Sequence, residues 1–353
     1  MQLTTTPHGG NLRQLAAQAG RPEEELLDFS ASINPLGMPP AARQAIIDTI
    51  DRLGHYPDPL AGQLVAAIAE AYRVNPELLL AGNGSTELIY LALRVLKPRR
   101  VLLTAPGFGE YERAARLAGA EIKWLRLSRK KEFRIEPAPF IAAMADCDLA
   151  LLCNPNNPTG HALSRDEVTT IADAAKSHRC HLLLDEAFAD FCPEVSLLGH
   201  CHNTHLLILR SLTKFYALPG LRLGFLLLPR RLRAAFLANK EPWSVNTLAE
   251  AAAGAALTDE EFAHRSRRFM AEERPWLANE LARHTGAKVY PATANYLLLE
   301  TPQAPALLTG LLRQGIALRD CANFRGLNAH FLRTAVRSRR ENQRLLAALA
   351  VIL

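Results

Sequence analysis

Two cations stand in an otherwise apolar stretch that runs Ser211-Leu212-Thr213-Lys214-Phe215-Tyr216-Ala217-Leu218-Pro219-Gly220-Leu221-Arg222-Leu223-Gly224-Phe225. A charge is costly to bury unless it is paired or neutralised. Either Lys214 and Arg222 lie at a strand edge with only their stems on apolar surface, or something in the fold pairs with them. Other residues of chemical interest fall at the ends of apolar runs. Gly82-Asn83-Gly84-Ser85-Thr86 closes one run and opens a helical pattern. That is the arrangement of an anion site, with free N–H groups and glycines that admit close approach, or of a plain turn with a hydroxyl cap. Asp185-Glu186 ends another run. Ligands of open α/β sheets bind at that end of the strands, and an aspartate there can pair with a protonated ring nitrogen; a helix cap is the simpler alternative. Asn154, Asn156 and Asn157 stand among prolines after a further run, as they would in a loop.

The elements that must position these residues alternate. Strand candidates are Val101–Ala105, Leu149–Cys153, His181–Leu184, Leu206–Leu209 and Leu223–Leu228, with helical patterns such as Glu87–Leu96 and Asp166–Ser177 among them. This alternation predicts an α/β fold whose mostly parallel sheet is covered by helices on both faces. Continuously apolar strands agree with burial on both sides. After Trp243 an Ala- and Glu-rich helical stretch runs to about His284, followed by mixed strand and helix, which predicts a smaller α+β domain. The expected division is an N-terminal arm and helix at 1–34, a large domain at 35–240 and a small C-terminal domain at 241–353. The first 30 or so residues are short of strand signal.

The chain has 353 residues, 49% of them apolar, and a net charge of +6. That length suits one large domain with a smaller one. No apolar run is long enough to span a bilayer, and the N-terminus lacks the pattern of a signal peptide, so no membrane association and a cytoplasmic protein are expected. The basic residues are scattered, so nucleic-acid binding is not expected; a mild positive balance suits a small anionic substrate. His178, Cys180, His181, Cys192, His200, Cys201, His202 and His205 cluster in sequence without CxxC or HExxH spacing, and no metal site is expected from them.

Taken in order, Gly84-Ser85-Thr86, Asn157-Pro158-Thr159-Gly160, Asp185-Glu186-Ala187-Phe188, Ser211-Leu212-Thr213-Lys214 and Arg222 resemble the fold-type I pyridoxal-phosphate enzymes, the aspartate aminotransferase superfamily, over nearly the whole chain. The resemblance implies pyridoxal 5'-phosphate as cofactor, carried on Lys214. Arg222, Ser211 and Thr213, with Gly84, Ser85 and Thr86, would hold its phosphate. Asp185 would pair with the pyridine nitrogen, Asn157 would donate to the ring's phenolic oxygen, and Phe108 would stack on the ring. Tyr56 falls where a tyrosine reaches the phosphate from the other subunit, which implies a homodimer. One departure is Phe188, where many members carry tyrosine.

The ends of the chain, among them His8-Gly9-Gly10-Asn11, are similar to the branch of that family which handles phosphorylated amino acids and amines. Within it, the motifs imply decarboxylation of a small anionic amino-acid phosphate; transamination of the histidinol-phosphate type is the alternative. Arg333 matches the arginine that takes the substrate carboxylate, and Arg319 the one that takes its phosphate. His8 and the Gly9 backbone would close over the phosphate, Ser32 falls in the substrate loop, and Asn157 would also touch the substrate. Arg325 and Arg337 are either further anion ligands or solvated surface residues.

Overall fold

A computed structural model describes residues 8–199 and 203–353. Its centre is a seven-stranded sheet. In spatial order the strands are Leu79–Asn83, Leu223–Leu227, Leu206–Ser211, His181–Asp185, Leu149–Cys153, Arg100–Ala105 and Glu121–Arg126. Four neighbouring pairs are parallel, whereas Leu223–Leu227 runs antiparallel to both of its neighbours. The inner strands are buried along their length, with only His181 at the start of one partly exposed, as helices on both faces require. The two sides of the sheet carry separate apolar clusters, one around Leu102, Leu152, Leu184 and Ile208, the other around Leu103, Leu151, Leu183 and Leu209.

Two strands of this sheet differ from the sequence expectation. Leu79–Asn83 is a strand that leads directly into the helix Gly84–Leu96, so the helix starts three residues before the expected Glu87. Glu121–Arg126 is an edge strand, half-exposed and interrupted by Lys123, so it lacks the apolar run that marks the buried strands.

The expected helical stretch after Trp243 is two helices, Thr247–Leu257 and Glu260–Thr285. They break at Thr258-Asp259, where the Asp259 carboxylate accepts the Phe262 N–H at 2.8 Å and caps the second helix. A four-stranded antiparallel sheet follows, in which Phe331–Ala335 pairs with Tyr296–Glu300 on one side and Arg319–Asp320 on the other.

The N-terminal segment is not free of strand. After the helix Leu12–Ala19, Leu27–Asp28 pairs in parallel with Ile316–Ala317. The Phe29 carbonyl then accepts the Ala335 N–H at 2.8 Å. The start of the chain is thereby laid along its C-terminal part. No helix among the described residues is long and apolar enough to cross a membrane. Among them, no group of three or more His, Cys, Asp or Glu is placed to hold a metal ion; His200, Cys201 and His202 lie outside the described residues.

Candidate active site

Strand direction gathers the site. Asn83, Ala105, Cys153, Asp185 and Ser211 all end strands that run the same way, so the residues following each meet at one edge of the sheet. The antiparallel strand contributes its beginning there: Leu223 pairs with Asn83 and Gly224 with Ser211, which brings Arg222 to the same edge. Above this edge lies a cavity of about 740 Å³, within the size range of cofactor sites. His8, Gly9, Ser32, Ser85, Thr86, Phe108, Asn157, Asp185, Thr213, Lys214, Arg222, Arg319 and Arg333 all line it.

Lys214 sits in a short helix, Leu212–Phe215, that begins where its strand ends. Its Nζ donates to Ser211 Oγ at 3.0 Å, and that hydroxyl shares a 2.8 Å hydrogen bond with Thr213 Oγ1. Burial pulls the ammonium down to about 8, against an opposing pull from Asp185. A neutral amine is thus within reach near neutrality, as a nucleophilic lysine requires.

Asp185 is buried, and burial raises its carboxyl above the ordinary aspartate value. Two hydrogen bonds hold it toward the charged form: Tyr111 Oη donates at 2.6 Å and the Ala187 N–H at 2.9 Å. Tyr111 is a site residue that the motifs do not mark. It lies one helical turn after Phe108, against which its ring packs edge-on at 5.4 Å, and that i, i+3 spacing was the available signal.

The anion cup closes on itself. Gly84 has φ +81°, and a Cβ there would lie 2.7 Å from Arg222 Nη2. Only glycine allows this approach without a shift. Arg222 itself takes the left-handed backbone, φ 58°, so its position is imposed by the surrounding structure. Gly84 and Ser211 do not line the cavity: the first backs Arg222 and the second lies under Lys214.

The other wall carries arginines. Arg319 and Arg333 are direct register partners on adjacent antiparallel strands, 5% and 7% exposed. Like charges directly opposite one another are unfavourable. Arg333 Nη1 donates to Asn157 Oδ1 at 2.6 Å and Nη2 to the Ser30 carbonyl at 3.1 Å. Arg319 Nη2 donates to Asn323 Oδ1 at 2.8 Å. Both line the cavity, and their guanidinium groups are suited to anions that enter it.

The N-terminal arm crosses this space. A Cβ at Gly9 would lie 2.2 Å from the Ser30 carbonyl oxygen, and the Gly10 N–H donates to Ser30 Oγ at 2.8 Å. His8 Nε2 shares a 2.7 Å hydrogen bond with Glu110 Oε1, and its ring lies 5.8 Å from that of Phe108.

Tyr56 is not brought to the cavity. It is 85% exposed and packs against Trp243 at 5.4 Å. Phe188 packs edge-on against Tyr296 at 4.9 Å, with Lys214 Nζ 5.9 Å from its ring centroid. Arg325 lines the cavity and pairs with Glu112 at 2.8 Å. Arg337 does not line it and pairs with Glu341 at 2.6 Å.

A parallel-sheet edge with a lysine of lowered pKa, a buried aspartate and a glycine-opened anion cup defines a class. The sequence model of the aminotransferase class I and II family matches residues 24–349, and the chain belongs to that family. Within it, the chain is 42% identical to the threonine-phosphate decarboxylase of Salmonella typhimurium, over 100% of this chain and 98% of that protein. It is 31% identical to the adenosylcobalamin biosynthesis bifunctional protein CobDQ of Leptospira interrogans, over 98% of this chain and 41% of that protein. Among solved structures, the histidinol-phosphate aminotransferase of Clostridium acetobutylicum superposes with a TM-score of 0.87 at 30% identity, over 93% of this chain and 99% of that one.

Proposed function

We propose that this chain converts L-threonine O-3-phosphate to (R)-1-amino-2-propanol O-2-phosphate and CO2 in cobalamin biosynthesis, with pyridoxal 5'-phosphate held at Lys214. The observation that carries this reading is the buried Arg319–Arg333 pair, set opposite one another on the wall of a cavity whose floor holds Lys214 and Asp185. A substrate with a carboxylate and a phosphate offers two anionic groups that match the two guanidinium groups of that wall. The 42% identity to a threonine-phosphate decarboxylase supports the same substrate.

The residues fit the cofactor. Lys214 offers an amine of lowered pKa, Asp185 a buried carboxylate for the ring nitrogen, Asn157 an amide for the phenolic oxygen and Phe108 a ring face. Arg222, Ser85, Thr86 and Thr213 offer the phosphate cup, with Gly84 backing Arg222 and Ser211 bonded to Lys214 and Thr213. Pyridoxal phosphate supplies an electron sink for a bond broken at the substrate Cα. The protein decides which bond that is. Arg333 binds the carboxylate, and Arg319 with His8 and Gly9 binds the phosphate, so that two anchors fix the rotation about Cα. Fixing that rotation would select the bond to the carboxylate as the one that breaks. A phosphate held by Arg319, His8 and Gly9 would be kept from leaving Cβ. Lys214, at the cavity floor, would hold the cofactor and is placed to donate a proton at the substrate Cα.

The exposed residues Ile47, Ile50, Leu53, Tyr56, Leu60 and Trp243 support a homodimer, since that much apolar surface in neighbouring parts of the chain marks an interface. Tyr56 would then serve the partner's cofactor phosphate. A cytoplasmic setting fits the five described cysteines, all buried and unpaired. We divide the chain into a large cofactor-binding body around the seven-stranded sheet and a smaller C-terminal body, with the N-terminal segment laid on the latter.

The test is to incubate the protein with L-threonine O-3-phosphate and follow CO2 and pyridoxamine phosphate together. Stoichiometric pyridoxamine phosphate without CO2 would replace this reading with the aminotransferase one.

A further inference from the structure

Behind the strand ends that carry the site lies a buried cluster of charged side chains. Arg210 precedes Ser211, and Glu186 follows Asp185. Successive residues of a strand face opposite sides of the sheet. Asp185 accordingly lines the cavity, whereas Arg210, Glu186 and Asp190 do not. These three are 1%, 1% and 3% exposed. Arg210 Nη1 donates to Glu186 Oε2 at 2.7 Å, and its Nη2 pairs with Asp190 Oδ1. Ser196 Oγ donates to Glu186 Oε2 at 2.5 Å, and the Leu197 N–H donates to Oε1 at 2.7 Å. Tyr72 Oη donates to Asp190 Oδ1 at 3.0 Å.

Such a cluster is a poor source of stability. Two carboxylates face one guanidinium, and Arg210 Nε and Asp190 Oδ2 are buried with no hydrogen-bond partner among the described residues. Apolar side chains of similar volume commonly fill a core as well or better. The placement of the cluster points to another role. Glu186 is one peptide bond from Asp185. Asp190 is one peptide bond from Phe191, whose ring packs edge-on at 5.0 Å against that of Phe215, the residue after Lys214. Arg267 holds these two together: its Nε donates to the Asp190 carbonyl at 3.0 Å, and its guanidinium lies 5.4 Å from the Phe215 ring centroid. Arg210 therefore ties the segment that carries Asp185 to the turn that carries Lys214. Its own chain neighbour, Ser211, accepts Lys214 Nζ at 3.0 Å.

We propose that Arg210 is a positioning residue for the reaction: through Glu186 and Asp190 it sets the Asp185 carboxylate against Lys214 from the far side of the sheet. This rests on the reading of Lys214 and Asp185 as residues that hold pyridoxal phosphate. Arg210 does not reach the cavity and acts through the backbone at 185–186 and the Phe191–Phe215 contact. Tyr111 and the Ala187 N–H orient the carboxylate group itself, whereas the cluster fixes the strand end from which that group projects. Small errors in such placement are costly, because a charge partner works only at the right distance and direction. The planar fork of Arg210 reaches two carboxylates at once, which a single ammonium does not reproduce.

The experiment compares wild type with two variants. One neutralises the whole cluster, Arg210→Met with Glu186→Gln and Asp190→Asn, so that no buried charge is left without its partner. The other, Tyr72→Phe, removes one hydrogen bond to Asp190 and no charge, so the fold is kept. The quantities read are the melting temperature of cofactor-free protein, the pH titration of the bound cofactor's absorbance, and kcat and KM for L-threonine O-3-phosphate. The neutralised cluster should melt near or above the wild-type temperature. Its titration midpoint should move by about half a pH unit or more, because a displaced charge partner changes the proton affinity of the group it faces. Its kcat should fall on the order of 10- to 100-fold with KM within about 3-fold of wild type, since the substrate arginines are untouched. Tyr72→Phe should move the midpoint in the same direction by less, with a smaller fall in kcat.

A wild-type titration and kcat in either variant, whatever its melting temperature, would make the cluster a structural one and overturn the proposal. A rise in KM at unchanged kcat would place the effect on the substrate wall and overturn it as well. Wild-type protein whose cofactor absorbance is not fixed onto Lys214 by borohydride would overturn the cofactor reading itself, and this proposal with it.

Discussion

Lys214 and Asp185 are charged groups whose burial would be a liability in a purely structural protein, and here each is moved away from its ordinary state by the same cause. Burial lowers the lysine to about 8, so its neutral fraction grows as pH rises and is half-complete near pH 8, not near the ordinary 10.5. The rate at which cofactor-free protein takes up pyridoxal phosphate should follow that fraction. It should climb between about pH 7 and 9 and then level off, as seen by the absorbance of the bound cofactor. A climb that continues to pH 10.5 would mean Lys214 is not the desolvated group described. For Asp185 the balance is between burial, which raises its proton affinity, and the Tyr111 hydroxyl, which lowers it. Asp185→Asn removes the charge and should cost on the order of 3 kcal/mol, about 100-fold in turnover, at full cofactor content. Tyr111→Phe keeps the carboxylate but frees it to bind a proton more readily. The expected signature is a shift in the pH titration of the bound cofactor's absorbance together with a smaller fall in kcat. Unchanged titration would show that Tyr111 only fills space. Lysine, aspartate and arginine were legible because their order along the chain matches a family. Tyr111 was not, because a tyrosine one turn after an aromatic reads equally well as core.

The site exists because element ends converge. The strand Leu223–Leu227 enters the sheet antiparallel, and this alone lets Arg222 face the start of the helix Gly84–Leu96. Such close approach makes glycine at 84 a requirement. Gly84→Ala would need a shift of Arg222 at a position where φ is +81°. Affinity for pyridoxal phosphate should fall about 10-fold or more, the scale of backbone strain combined with a displaced anion ligand, while the fold persists. A cofactor titration by fluorescence would read this directly. Gly9→Ala tests the arm in the same way. Its Cβ would collide with the Ser30 carbonyl at 2.2 Å, so the arm must lift. KM for threonine phosphate should rise about 10-fold, whereas cofactor affinity should not change, if the arm serves the substrate as proposed. Equal loss of both would mean that the arm supports the whole fold at this point. The strands themselves were legible where both faces are buried. The edge strand Glu121–Arg126 and the two-residue pairing of Leu27–Asp28 were not, since neither carries a long apolar run.

At the scale of the molecule, Tyr56 is the telling residue. It is 85% exposed and does not line its own chain's cavity, and Ile50, Leu53 and Leu60, near it in sequence, are also exposed. If two chains join through this surface, each site is built from Lys214 of one subunit and Tyr56 of the other. Sedimentation should then give a dimer. Tyr56→Ala and Lys214→Ala proteins, each poorly active, should recover activity when unfolded together and refolded. A mixed dimer would contain one site with both residues intact, so recovery should approach about a quarter of wild type for random pairing of the two chains. No recovery in a dimeric mixture would place both residues in the same subunit's site or remove Tyr56 from the site altogether.

The identities and order of the reactive residues, the parallel α/β architecture and the character of the substrate as a small anion all follow from local chemistry. Apolar runs, turn residues and motif spacing are properties of short segments, so the sequence by itself determined them. What joined those segments is non-local. The antiparallel entry of one strand, the opposition of Arg319 and Arg333 across a register and the return of residues 27–29 along the C-terminal part of the chain each depend on which elements pair. That pairing is decided by burial and hydrogen bonding across tens to hundreds of residues, and it became visible only in the tertiary structure.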